Sequence, residues 1–256
     1  MLARLAMRLC ALEALRPTSA LASSGPWPTL AEEHVFDSRL DPIDDLQEKE
    51  RRPIVVVYSD LHNLDRLAQA GGMLHKAVID LAFEISVIAM ERDGNDYIAG
   101  LAFTDAELEA DLDLLEEQIY FALHFAPSGR LFRKIAKGAA IDWQSQPHRT
   151  AEDGYRLAMR TIRAKFAVKE VCYDAAMAAP ATGLDRLPQP VRAIVQELAA
   201  TSYGAALATG LAPKAPAMPV PDRLEGVTFE IDSKSPPAPQ DADDPHVTAS
   251  ADNLQA

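Results

Sequence analysis

The apolar positions fall into a few clear periods. Leu2, Leu5, Ala6, Leu9 and Leu12 recur at helical spacing, and Pro17 ends the run. This predicts an N-terminal helix over residues 1–16. Residues 54–58 (IVVVY) are β-branched almost throughout and predict a strand buried on both faces. Over residues 78–91, Leu81, Phe83, Ile85 and Val87 alternate with Asp80, Glu84 and Ser86, the mark of a strand with one wet face. Thr104 and Glu107 form a capping box ahead of Leu108, Leu112, Leu115, Ile119 and Leu123, with Pro127 beyond. This is the strongest helix signal in the chain. Its outer face carries Asp105, Glu109, Asp113, Glu116 and Glu117.

The remaining segments are weaker. Residues 34–39 can form a short strand, and residues 129–138 a short basic amphipathic piece. Residues 155–171 read as a long strand carrying Arg156, Arg160, Arg163 and Lys165. Residues 187–211 read as a helix weakened in its middle by Gly204. Residues 18–33 and 41–53 read as loops, 92–100 as a turn or loop, and 61–76 as a loop or short helix. From Pro213 the chain turns rich in Pro, Ala and Asp, with one strand-like run at 227–231. Such a composition stays disordered unless a partner orders it. The expected organisation is an α+β domain over residues 1–212, with a mostly antiparallel sheet and helices packed on it. Residues 213–256 form an extended tail.

Composition adds limits. With 256 residues the chain can bury a sizeable core. A formal net charge of −13 argues against nucleic-acid binding as its main role. Cys10 and Cys172 are too few for a disulfide framework and read as free thiols. No apolar run reaches the roughly 18 residues of a membrane span. Arg4, Arg8, Glu13 and Arg16 interrupt any signal-peptide core near Ala20, so residues 1–16 read as an ordinary helix.

Candidate chemistry is sparse. Residues 54–63 (IVVVYSDLHN) place Asp60 and His62 after an apolar strand, as calcineurin-like metallophosphoesterases begin. The further ligand segments of that family have no counterpart. The nearest imitation, residues 93–96 (DGND), lacks the histidine. His34, His62, His75, His124, His148 and His246 are scattered singly. Nucleophile-elbow, phosphate-loop and dinucleotide fingerprints are absent. Cys172 reads as a structural thiol, and Asp41, Asp44 and Asp45 as a solvated acidic loop. The expectation is a non-enzyme with no catalytic residue, cofactor or metal. A divergent phosphoesterase using Asp60 and His62, or a non-viral soluble adaptor, are the alternatives.

One arrangement carries a resemblance. A Leu/Ala helix leads through a Trp27 loop to residues 34–39 (HVFDSR), then 41–44 (DPID), a charged loop, 53–58 (PIVVVY) and a long alternating strand. Over residues 1–171 this order resembles the tail-terminator, or tail-completion, proteins of long-tailed bacteriophages. Residues 155–171 would be the last strand. The chain departs from that pattern in its insertion between Tyr58 and Val78, its helix at 187–211 and its tail. The resemblance implies a virion protein assembled in the host cytoplasm. It would form a ring, usually a hexamer, that caps the tail tube at the neck and meets the head-side connector.

Charge patterning fits such an assembly. Residues 105–117 are acidic, whereas Arg130, Arg133, Lys134, Lys137, Arg149, Arg156, Arg160, Arg163, Lys165 and Lys169 collect in 130–169. Opposite charges on two faces suit a head-to-tail contact between copies. The candidate subunit interface is therefore Asp105, Glu109 and Asp113 against Arg156, Arg160 and Arg163. The competing reading makes both groups solvated faces of one monomer. An acidic ring would let DNA slide through its lumen rather than bind it.

Overall fold

Alternation in two long strands builds the centre of the molecule. The computed structural model describes residues 2–39, 52–66, 75–88, 90–93, 96–99, 105–152, 155–169, 177 and 181–215. A compact unit spans Met1–Met218, and Pro219–Ala256, with most of the expected tail, lies outside the described residues. The strands are β1 (Val35–Asp37), β2 (Arg52–Arg66), β3 (His75–Ile88), β4 (Met90–Asp93), β5 (Asp96–Ala99), β6 (Asp142–Glu152) and β7 (Tyr155–Val168). The helices are α1 (Ala3–Leu15), α2 (Thr18–Ser23), α3 (Asp105–His124), α4 (Arg130–Ile135), α5 (Val191–Glu197) and α6 (Tyr203–Leu211). Five strands pair in the order β1-β2-β3-β7-β6, parallel between β1 and β2 and antiparallel elsewhere. The class is α+β with a mostly antiparallel sheet, as expected.

Register explains the core. Ala77, Ile79, Leu81, Phe83, Ile85 and Val87 of β3 form one buried row. Ile79, Leu81 and Phe83 lie opposite Phe166, Ala164 and Ile162 of β7. On the other side, Phe83 and Ile85 lie opposite Val57 and Val55 of β2. Helices α1 and α3 pack on this face, α3 through Leu108, Leu112, Leu115, Ile119 and Leu123. Each such side chain contributes about 1.5–3 kcal/mol by leaving water. The expected burial of residues 54–58 on both faces holds for Ile54, Val55, Val56 and Val57, with Ile54 and Val56 on the second face beside Phe36, whereas Tyr58 is only half-buried.

Helix α1 is buried almost all round, because small Ala3, Ala6, Ala11 and Ala14 let α3, α4 and α5 approach it. Its Cys10 is fully buried, and burial, reinforced by Glu13 and Glu197, pushes the thiol far up from its ordinary value. Arg8 leaves the helix to pair with Asp37 of β1, and its Nη1 donates to Ser59 Oγ at 3.0 Å. Tyr203 of α6 donates to the same Asp37 at 2.9 Å. Three elements are thereby tied at one carboxylate, and Arg8 extends the link to β2.

Several elements depart from the sequence reading. Residues 18–23 are helical where a loop was expected, with Glu13 accepting bonds from both the Thr18 amide and its hydroxyl. Strand β2 runs through Asp60 and His62 to Arg66 with a bulge between Ser59 and His62, so the motif lies inside a strand. Strands β4 and β5 pair antiparallel, where 92–100 was expected to be a turn or loop. The polar β6 carries Pro147 and lacks apolar alternation, as suits an edge strand. The expected helix at 187–211 splits into α5 and α6, because Leu198 is extended and Ser202 caps α6 by accepting from the Ala205 amide. Gly204 then stands at the start of α6, where an added Cβ would lie 2.8 Å from Leu198 Cδ1. Thr104 of the capping box, Asp41, Asp44, Asp45, Cys172, His246 and the run at 227–231 lie outside the described residues.

Candidate subunit interface

Three of the six interface candidates meet each other inside the chain. Glu109, Asp113 and Glu116 fall at helical spacing on one side of α3, which lies across β7. Arg160 occupies the apolar row of β7, opposite Ile85 and Pro147. An arginine in that row must find anions, and the helix above supplies them. Its Nη2 lies 3.1 Å from Glu109, and its Nη1 lies 2.7 Å from Asp113 and 2.9 Å from Glu116. Only 12% of the Arg160 side chain is exposed. Against the penalty of burial, the bonds to Glu116 and Asp113 raise the guanidinium above its ordinary value.

Glu116 joins three elements. It accepts from Trp143 Nε1 at 2.9 Å, from Ser145 Oγ at 2.8 Å and from Arg160 Nη1 at 2.9 Å. Trp143 stacks on Phe83 at 6.3 Å and meets the Tyr120 ring edge-on at 5.2 Å. Sequence reasoning missed Trp143 and Ser145 because it missed β6. The signal for Arg160 was present: it shares parity with Ala158, Ile162, Ala164, Phe166 and Val168.

Arg163 has the opposite parity and lies on the sheet face away from α3. Its side chain is 68% exposed, and its Nε stands 4.0 Å from Asp60. Lys165 shares that face and lies 3.4 Å from Asp142. Asp80 lies opposite Lys165 in register; its Oδ1 has no hydrogen-bond partner, and burial, opposed by Lys165, raises its carboxyl. Asp105 begins α3 and Arg156 lies near the start of β7, but their side chains lie outside the described ones.

Much of the basic segment is also engaged within the chain. Arg130 and Lys134 hold Glu197 at 2.9 and 2.6 Å, which lowers that carboxyl. Arg133 donates to the Leu123 and Ala126 carbonyls at 3.2 and 2.9 Å, closing the end of α3.

The two members of the Asp-x-His motif point apart. Asp60 faces Arg163, whereas His62 pairs in register with Ile79 of the core row. Both His62 ring nitrogens are buried without a hydrogen-bond partner, and burial, with nearby positive charge that includes Arg4, lowers its pKa. His124 packs between Tyr120 and Phe166, and burial followed by Arg133 lowers its pKa. Among the described residues no group of three or more His, Cys, Asp or Glu is placed to hold a metal ion. No helix among them is long and apolar enough to cross a membrane. No family model matches the sequence, and no curated protein matches it.

Proposed function

We propose that this chain is a structural virion protein that forms a ring at a phage neck, capping the tail tube and joining it to the head-side connector. The observation that carries the reading is the unlike charge of its two sides. The α3 side gathers Glu109, Asp113 and Glu116 around one buried arginine, whereas on the opposite sheet face exposed Arg163 and half-buried Lys165 alternate with Asp60 and Asp142. Two unlike faces, one acidic and one of mixed charge, support heterologous contact, which closes into a ring when the rotation per copy allows. The partners are further copies of the chain, the tail tube protein and the connector. The virion is its location, and the ring needs no cofactor and performs no catalysis.

Light scattering of the purified chain tests this. The expected result is a closed assembly near six times 27.8 kDa that loosens as salt screens the contact. A monomer that binds metal stoichiometrically, and hydrolyses phosphoesters in a manner lost in Asp60→Ala, would replace this reading with an enzyme.

A further inference from the structure

Helix α3 buries one face and leaves the opposite one open. Leu108, Leu112, Leu115, Ile119 and Leu123 fill the core. Leu114, Phe121 and Phe125 align on the far side at i, i+7 and i+11, and they are 47%, 56% and 63% exposed. The two phenyl rings meet at 5.8 Å. Leu30, also exposed, lies alongside, its amide donating to Gln118 Oε1 at 2.7 Å. Exposed apolar side chains gathered on one helix mark a contact surface, whereas scattered ones do not.

The surroundings of this stripe are acidic. Helix α3 carries no Lys or Arg. Exposed Asp113 and Glu117 edge the stripe and, with Glu116, line an open groove of about 370 Å³ walled by Tyr120 and Trp143. The cation of that groove, Arg160, is 12% exposed and sits beneath the carboxylates. Tyr120 joins groove to stripe, its ring 6.1 Å from that of Phe125.

We infer that this face docks an amphipathic helix of another protein, apolar along one side and edged with Lys or Arg. Charge decides among the occupants. A second α3 laid antiparallel, with Leu114 of each copy on Phe121 of the other, sets Glu117 against its own counterpart, and like charges oppose such a pair. An anionic lipid surface meets the same carboxylates. A basic helix instead rests apolar side chains on Leu114, Phe121 and Phe125 and brings its cations to Asp113, Glu117 and the Tyr120 ring. The stripe runs about 17 Å along α3, about three turns of such a helix. The inference goes beyond the ring reading and does not require it.

A synthetic peptide of about 18 residues, leucine on one helical face and lysine on the other, is the probe. Fluorescence anisotropy of the labelled peptide is titrated with the full chain. The expected result is binding that falls at least tenfold when the same residues are scrambled so that the leucines no longer share a face. Phe121→Ser combined with Phe125→Ser, and separately Glu117→Lys, are each expected to weaken binding at least tenfold. Leu61→Ser, at an exposed apolar position of β2, should bind like the parent chain, and thermal unfolding checks that every variant keeps its fold. A peptide that does not bind, or binds no better than its scramble, would overturn the inference. Unchanged binding in the phenylalanine variant would move the peptide off this face, and unchanged binding in Glu117→Lys would remove the basic character of the partner; either overturns it. Loss of the chain's own assembly in the phenylalanine variant would put a second copy on the stripe instead. Co-sedimentation with phosphatidylserine vesicles that this variant abolishes would put a lipid surface there.

Discussion

Arg160 and His124 are two polar side chains packed against the core side of the sheet. Arg160 is held under α3 by three carboxylates, those of Glu109, Asp113 and Glu116. Removing the guanidinium leaves those anions crowded beside an apolar sheet. Arg160→Met should therefore lower stability by about 3 kcal/mol, the range for stripping one partner from a buried ion pair. Urea unfolding measures it, and Glu116→Gln should lose less, because Asp113 and Glu109 remain. His124 works through protonation. Its folded pKa lies below the unfolded value of about 6.5. The unfolded chain therefore takes up the proton first, and stability falls as pH drops below that value. Denaturation midpoints at pH 7.5 and 5.5 should differ, and His124→Gln should reduce the difference while leaving the part due to His62.

The elements show how far periodicity reaches. The apolar stripe of α3 and the alternation of β3 were legible, because both faces of each differ sharply in polarity. Strand β6 was not, because an edge strand with one neighbour needs little apolar surface and tolerates Pro147. The turn after α3 depends on close approach rather than pattern. A Cβ on Gly129 would lie 2.2 Å from the Ala122 carbonyl and 2.7 Å from that of Leu123. Gly129→Ala should therefore cost about 2 kcal/mol or more, as overpacking does. Thermal melting checks it, and Gly138→Ala, at positive φ with open space, separates backbone strain from crowding.

For the whole molecule, sidedness decides what copies can do. The α3 carboxylates around Arg160 lie on one side of the sheet, and Arg163 beside Asp60 lies on the other. A head-to-tail contact using both sides uses a different surface on each partner, and assembly at low salt should exceed assembly at high salt. Sedimentation velocity across a salt series reads this directly. A salt-independent distribution would remove electrostatics from the contact.

The sequence by itself determined the α+β class, the central strands and the buried face of α3, because those follow from local periodicity and need no knowledge of neighbours. It also carried the segregation of acidic and basic runs. Only the tertiary structure decided which charges satisfy each other. Parity along β7 sends Arg160 under α3 and Arg163 to the opposite face, and strand pairing brings Trp143 and Ser145 to Glu116 from a segment with no pattern of its own. Pairing between charges distant in sequence is set by register and packing, and a one-residue slip in β7 would exchange the two faces.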